Sequence, residues 1–194
     1  MDEGYIKFNA DWENKSISIK NTLIEEMNHW REKCRDKNWI GVYDDGIGFG
    51  NISLRLNKTN FLISGSATGG VKRLIKEHFA YVEDYNLEKN FLKCKGQILA
   101  SSESLSHASI YDNNEDVLRI IHIHDFDLWN KWKNILPTTR STVSYGTPEM
   151  AFALQKCQDN IQSSHGVIVM DGHQEGIIAY GSTFNEVFRL LTNL

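Results

Sequence analysis

His122 and His124 stand two positions apart in VLRIIHIH (117–124), a run rich in β-branched residues. On a strand, successive side chains alternate between faces, so the two imidazoles share one side while Ile121 and Ile123 share the other, towards a core. Two imidazoles on one face are a ready chelate for a d-block divalent ion. The same spacing also suits a hydrogen-bonded histidine pair at a strand end, because H-x-H is a short motif. The run HIHDFD does not complete the HxHxDH of a two-metal hydrolase, since Phe126 occupies the position that needs aspartate. A second group of interest is Ser101-Ser102-Glu103, where a loop enters a predicted helix. Hydroxyls and free N–H groups at a helix start suit phosphate or another oxyanion. Glu103 reads either as an ordinary first-turn glutamate or as a general base beside a metal-bound substrate.

Other glycine and serine patterns fail on chemistry. Gly46, Gly48 and Gly50 form GxGxG without a following strand–turn–helix, so a dinucleotide site is not expected. Gly65 to Gly70 has P-loop glycine spacing, but Val71-Lys72 follows instead of Lys-Ser/Thr. No GxSxG elbow is present, and no cysteine sits beside a plausible base.

These groups must be carried by ordinary elements. Ile17, Ile19, Leu23, Ile24, Met27, Trp30 and Cys34 recur at helical spacing and predict a helix over 17–36. NWIGVYDDGIGFGNISLRL (38–56) predicts strand, turn and strand, and FLIS (61–64) another strand stopped by the GSATGG turn. Leu74 to Phe79 predicts a short helix before the strand AYVEDY, and ESLSHASIYDNN a helix capped by Ser101 or Ser102. TPEMAFALQKC (147–157) predicts a helix with Pro148 in its first turn and Glu149 near the N-terminal dipole. HGVIVMDG and EGIIAYG predict a hairpin, and TFNEVFRLL a last helix. Mixed helices and strands joined by short turns point to an α/β layered fold with a substantially antiparallel sheet.

Composition bounds the rest. The 194 residues are 41% hydrophobic and 24% charged, the balance of a globular chain able to bury a core. A net charge of −4 argues against a general nucleic-acid or membrane-surface binder. No apolar run approaches the ~18 residues of a membrane span, and the polar start MDEGYIKFNADWENK is not a signal peptide. Cys34, Cys94 and Cys157 form neither a CxxC pair nor a disulfide framework, which suits buried thiols in a reducing cytoplasm.

Six segments, in order over roughly residues 20 to 190, together resemble the class II aldolase/adducin family of metal-dependent sugar-phosphate aldolases and epimerases. GNISLR (50–55) is similar to that family's GNxS segment, and FLISGSATGG (61–70) to the strand and hydroxyl-rich glycine loop that follow. SSESLSHASIY (101–111) resembles its S-S-E…H…Y block, and IIHIH (120–124) its metal-binding strand. YGTPEMA (145–151) resembles a recurring helix start, and VIVMDGHQEGIIAYG (167–181) its last metal-ligand segment. The resemblance implies a three-layer α/β/α fold with a central, largely antiparallel sheet, and one domain over 1–194.

It also implies that His122, His124 and His173 ligate one divalent ion per subunit, zinc first and manganese as the alternative. Read alone, DGHQEG would pass for a plain hairpin turn, and His165 is the rival ligand. The family's ligand follows a strand such as VIVM, as His173 does, whereas His165 precedes it. Glu103, nineteen positions before His122, matches the family's catalytic acid/base, where the related pentose-phosphate epimerases carry aspartate. Asn51, Ser101, Ser102 and a hydroxyl of the 64–68 loop match phosphate-binding positions; Ser66 is preferred over Ser64 and Thr68. His107 matches a recurrent histidine whose job is packing or orientation.

The implied reaction is aldol cleavage of a small ketose phosphate through a metal-stabilised enediolate, with Glu103 as acid/base. The implied assembly is a cytoplasmic homotetramer with active sites at subunit interfaces. An epimerase or dehydratase of the same fold is the nearest alternative. A noncatalytic adducin-like interaction domain is another, against which His122, His124 and Glu103 count, since no scaffold role needs that trio. Three departures bear on the substrate. Ala100 replaces the usual proline before S-S-E, and the GHQEG turn is longer than the N-H-G form of the sugar-phosphate aldolases. Leu194 also follows soon after the last predicted helix, so a tail tyrosine reaching the active site is not expected.

Overall fold

A computed structural model describes residues 4–194. In the first half of the chain, β1 (Asn9–Glu13) and α1 (Asn21–Asp36) precede the short strands β2 (Gly41–Val42) and β3 (Gly48–Phe49). Next come β4 (Asn51–Arg55), β5 (Phe61–Ser64), β6 (Phe79–Asn86) and β7 (Phe91–Lys95). The second half holds α2 (Ser104–Asn113), β8 (Arg119–His124), α3 (Phe126–Trp132) and α4 (Pro148–Ile161). The chain closes with β9 (Gly166–Val169), β10 (Gly176–Gly181) and α5 (Phe184–Thr192).

Eight strands form one sheet in the order β1-β7-β6-β5-β4-β8-β10-β9, while β2 and β3 make a separate ribbon. Every pairing in the large sheet is antiparallel except that of β1 with β7. The alternation along β8 decides the layers. Ile120 joins a core with Leu105, Ala108 and Ile110 of α2, Met150 and Leu154 of α4, and Ile178 and Tyr180 of β10. Ile121 and Ile123 face the opposite core, with Ile24 and Met27 of α1, Trp129 of α3, and Phe184, Val187 and Leu191 of α5. Helices therefore cover both faces of the sheet, as a three-layer α/β/α arrangement requires. Each such apolar side chain contributes about 1.5–3 kcal/mol on leaving water.

The helix starts follow their caps. Thr147 Oγ1 accepts from Met150 N at 3.3 Å, with Pro148 in the first turn of α4. Thr183 Oγ1 accepts from Glu186 N at 3.2 Å at the start of α5. Neither Ser101 nor Ser102 caps α2, contrary to expectation: Glu103 is its N-cap residue, and its side chain accepts from no backbone N–H of the first turn. Ser101 Oγ accepts from Glu103 N at 3.4 Å, ahead of the helix, and its carbonyl accepts from Ser104 Oγ at 2.7 Å. Expected helix 17–36 begins only at Asn21, and Leu74 to Phe79 supplies no α-helix but a single 3-10 turn, Lys76–His78. All three cysteines are free and buried. Among the described residues, no helix is long and apolar enough to cross a membrane.

Candidate metal centre and anion cleft

Strand β8 runs between β4 and β10, so its side chains are enclosed from both sides. His122 stands opposite Asn51 of β4 and Ile178 of β10, and His124 opposite Gly176. Glycine suits 176 by close approach: a Cβ there would lie 2.9 Å from the backbone oxygen of His173 and 3.2 Å from His122 Cε1. His173 arrives from the turn between β9 and β10. That turn is fixed by Met170 N donating to Gly176 O at 2.9 Å, and by His173 N donating to Met170 O at 3.0 Å. His122 Nε2 and His124 Nε2 are 3.0 Å apart, and one ligand atom from each of the three histidines lies within 4.8 Å of the others. Two nitrogens ~2.1 Å from one tetrahedral ion stand about 3.4 Å apart, so the cluster has the dimensions of a shared divalent site. His165 lies elsewhere, on the surface, with Nδ1 3.3 Å from Glu186 Oε1.

Two of the rings, His122 and His124, also favour the neutral form that ligands need. His122 Nδ1 donates to Ile177 O at 3.1 Å, which leaves the lone pair on Nε2. Burial pushes His122 well below the usual imidazole range, and the neighbouring histidines add to that shift. Burial does the same to His124, with His173 the lesser cause. Three imidazoles at this spacing fit a zinc-like ion by donor type and size, and His122 fits it by tautomer as well. Tyr145 stacks on His173 with centroids 4.7 Å apart, fixing the plane of the third ring.

Glu103 reaches the same place from α2. Its backbone sits at φ −90°, ψ 9°, the sparsely populated bridge region. Oε2 accepts from Ser106 Oγ at 2.7 Å, and Oε1 is 3.7 Å from His173 Nδ1. Helix α2 is registered on the sheet by buried polar contacts. Ser53 Oγ lies 2.6 Å from His107 Nδ1 and 2.7 Å from Tyr111 Oη. Burial pushes His107 down to about 3, so it serves this contact as a neutral ring. Arg55 adds bonds to the carbonyls of Tyr111, Asn114 and Val117.

A cleft of about 280 Å³ joins the polar groups: Asn51, Ser66, Ser101, Ser102, Glu103 and His122 all line it. Of the three clustered histidines, His122 lines this cleft and His124 borders a second one. In the 64–68 loop, Ser64 Oγ is occupied with Ile52 N at 3.2 Å, and Thr68 Oγ1 with Gly65 O at 2.8 Å. Ser66 has neither tie. Asn51 Oδ1 is buried and has no partner among the described residues.

Behind this loop lies a residue that the sequence reading passed over. Arg31 is 1% exposed and donates to Thr68 O at 2.7 Å, Gly69 O at 2.9 Å and Lys72 O at 3.4 Å. Arg35 also donates to Gly69 O. Burial, and then the like charge of Arg35, lowers Arg31 to about 10, which still leaves it protonated at neutral pH. Its bonds run to carbonyls, so the buried charge adds to the positive potential behind the cleft. The available signal was a cation on the apolar face of α1, in helical step with Met27 and Cys34. Replacing Arg31 by leucine leaves buried carbonyls unsatisfied, at about 1–3 kcal/mol per group. A loss of about 3 kcal/mol corresponds to a fall of roughly 6–12 °C in Tm for a chain of this size. Calorimetry checks this expectation; an unchanged Tm would show that the loop does not depend on Arg31.

Fold and site thus define a mixed α/β protein with a buried three-histidine cluster beside a hydroxyl-lined cleft. The chain belongs to the family described as Class II Aldolase and Adducin N-terminal domain, whose model matches residues 43–194. Among solved structures it is similar to an L-fuculose 1-phosphate aldolase, at 18% identity and a TM-score of 0.65, covering 90% of this chain and 82% of that one. YgbL of Klebsiella pneumoniae, for which aldolase, epimerase and decarboxylase activities are left open, gives 16% identity and a TM-score of 0.65, covering 91% and 86%. An L-fuculose 1-phosphate aldolase from Glaciozyma antarctica PI12 gives 16% and 0.59, covering 93% and 75%. Likeness at these identities concerns the fold. Comparison with curated proteins finds no match.

Proposed function

We propose that the protein is a metal-dependent lyase that cleaves a small ketose phosphate. The observation that carries this reading is the position of Glu103: its carboxylate lies 3.7 Å from His173 and lines the cleft together with His122. His122, His124 and His173 would hold one divalent ion, most simply zinc, since all three donors are imidazoles. Bound there, the ion supplies Lewis-acid polarisation of the carbonyl and adjacent hydroxyl oxygens of the substrate.

The chain's own residues do the rest. Asn51, Ser66, Ser101 and Ser102 present amide and hydroxyl groups to the phosphate, with the Arg31 charge behind the loop favouring an anion. Glu103 moves a proton at the carbon released by cleavage, and Ser106 holds one carboxylate oxygen so that the other faces the cluster. The enclosing walls of β4, β8 and β10 exclude water from behind the histidines, which strengthens every electrostatic contact inside. On family resemblance the same reading takes residues 1–194 as one domain of a cytoplasmic homotetramer.

A screen of ketose 1-phosphates for aldehyde release tests the lyase reading. Aldehyde formation supports it; inversion at a carbon without cleavage would assign an epimerase instead. The anion subsite has its own test. Ser102→Ala is expected to raise KM for a phosphorylated substrate ~10-fold, the cost of one hydrogen bond to a charged group, with little change for the dephosphorylated sugar. Equal effects on both substrates would remove Ser102 from the phosphate site.

A further inference from the structure

The geometry points to Tyr43 and Glu175 as positioning residues that set the tautomer and orientation of His124 as a metal ligand; the inference rests on the metal-centre reading above. Tyr43 directly follows β2, where its N–H donates to Ile47 O at 2.8 Å and its ring packs on Phe49 with centroids 4.4 Å apart. The hydroxyl is therefore delivered by a braced turn. Tyr43 Oη donates its proton to Glu175 Oε2 at 2.7 Å and lies 2.8 Å from His124 Nδ1. A phenol has one proton. With that proton committed to the carboxylate, the Tyr43 oxygen must accept from His124, so Nδ1 carries hydrogen and Nε2 carries the lone pair. That Nε2 is the atom 3.0 Å from His122 Nε2.

Glu175 is as firmly placed as Tyr43. Its backbone adopts φ +69°, and its carbonyl accepts from Asp125 N at 3.0 Å, tying the turn to the residue after β8. Asp125 in turn caps α3 through Leu128 N at 2.9 Å and accepts from Trp39 Nε1 at 2.9 Å. One turn, 170–176, therefore supplies His173 directly and reaches His124 through Tyr43. A carboxylate in series polarises the phenol oxygen, which makes the imidazole a better donor to a cation. Among the described residues His122 Nδ1 meets a backbone carbonyl, that of Ile177, so the two histidines of β8 are held by different means.

The test uses the full-length protein and zinc alone, with affinity read by competition against a chromophoric chelator. The cobalt-substituted d–d spectrum gives a second readout, and melting of the metal-free protein controls for folding. Tyr43→Phe and Glu175→Ala are each expected to weaken zinc binding ~10–100-fold, the usual cost of removing the group behind a ligating histidine. Both are expected to shift the cobalt bands while leaving the metal-free Tm nearly unchanged. Glu175→Gln keeps an oxygen for the phenol and is expected to lose less than Glu175→Ala. Because the residues act in series, Tyr43→Phe combined with Glu175→Ala should fall no further than the worse single variant. Tyr43→Phe affinity within twofold of the parent, with unmoved cobalt bands, overturns the inference; so do losses that multiply in the double variant. If Tyr43→Phe does not fold, the two Glu175 variants decide between the same outcomes. A parent protein that binds no divalent ion overturns the metal-centre reading itself, and the inference with it.

Discussion

His122→Ala is expected to lose bound metal and to drop activity to background. The residue is central in three ways. Its Nε2 is 3.0 Å from that of His124, its ring lines the cleft, and its Nδ1 is committed to Ile177 O. Two remaining imidazoles make a poorer chelate, so affinity should fall by more than the ~10–100-fold that changes behind a ligand cost. The substitution also leaves a void beside Asn51, at a stability cost of roughly 1–3 kcal/mol, which circular dichroism would separate from loss of metal. Elemental analysis after dialysis is the decisive measurement. Metal content equal to the parent's would show that the ion, if any, is held elsewhere.

Glu103→Gln is expected to keep the metal and lose the chemistry. The amide oxygen can still accept from Ser106 Oγ, so the start of α2 and the cleft wall should survive. What the amide cannot do is take and return a proton. General acid–base groups contribute typically ~10²–10⁴-fold, and kcat should fall within that range. Solvent deuterium exchange at the substrate carbon should vanish with it while zinc binding stays near the parent's. Unchanged turnover would relegate Glu103 to an N-cap residue with no chemical part.

How much of this was legible in the chain differs from element to element. The β8 strand was readable because period-two alternation is local: Ile120 and Ile121 enter opposite cores, as the pattern requires. Helices α4 and α5 were readable for the same reason, through Thr147, Pro148 and Thr183 and a spacing near 3.6. Strands β1 and β7 and helix α3 were not. β1 is an edge strand, exposed throughout, whose order comes from pairing with β7 rather than from any alternation of its own. α3 has seven residues, too few to display a helical period, and depends on the Asp125 cap.

The sequence by itself determined the H-x-H pair on one strand face, the serine–serine–glutamate block before a helix and, through ordered motifs, the family. The first two signals each lie within a few residues, where backbone geometry alone relates the side chains. The family signal lies in the order of such short segments along the chain. Only the tertiary structure places His173, and not His165, beside His122 and His124, because that depends on how the 170–176 turn folds back over β8. It alone brought Arg31 behind the glycine loop and joined Tyr43, His124 and Glu175 into one chain of hydrogen bonds. Arg31 binds backbone carbonyls, which every residue has, so no residue type marks its partners. Tyr43 and Glu175 are 132 positions apart, and nothing local couples a phenol to a carboxylate over that distance. The His122–His124 pair was written in short-range pattern, whereas His173 and the groups behind the pair join it only once the sheet has closed.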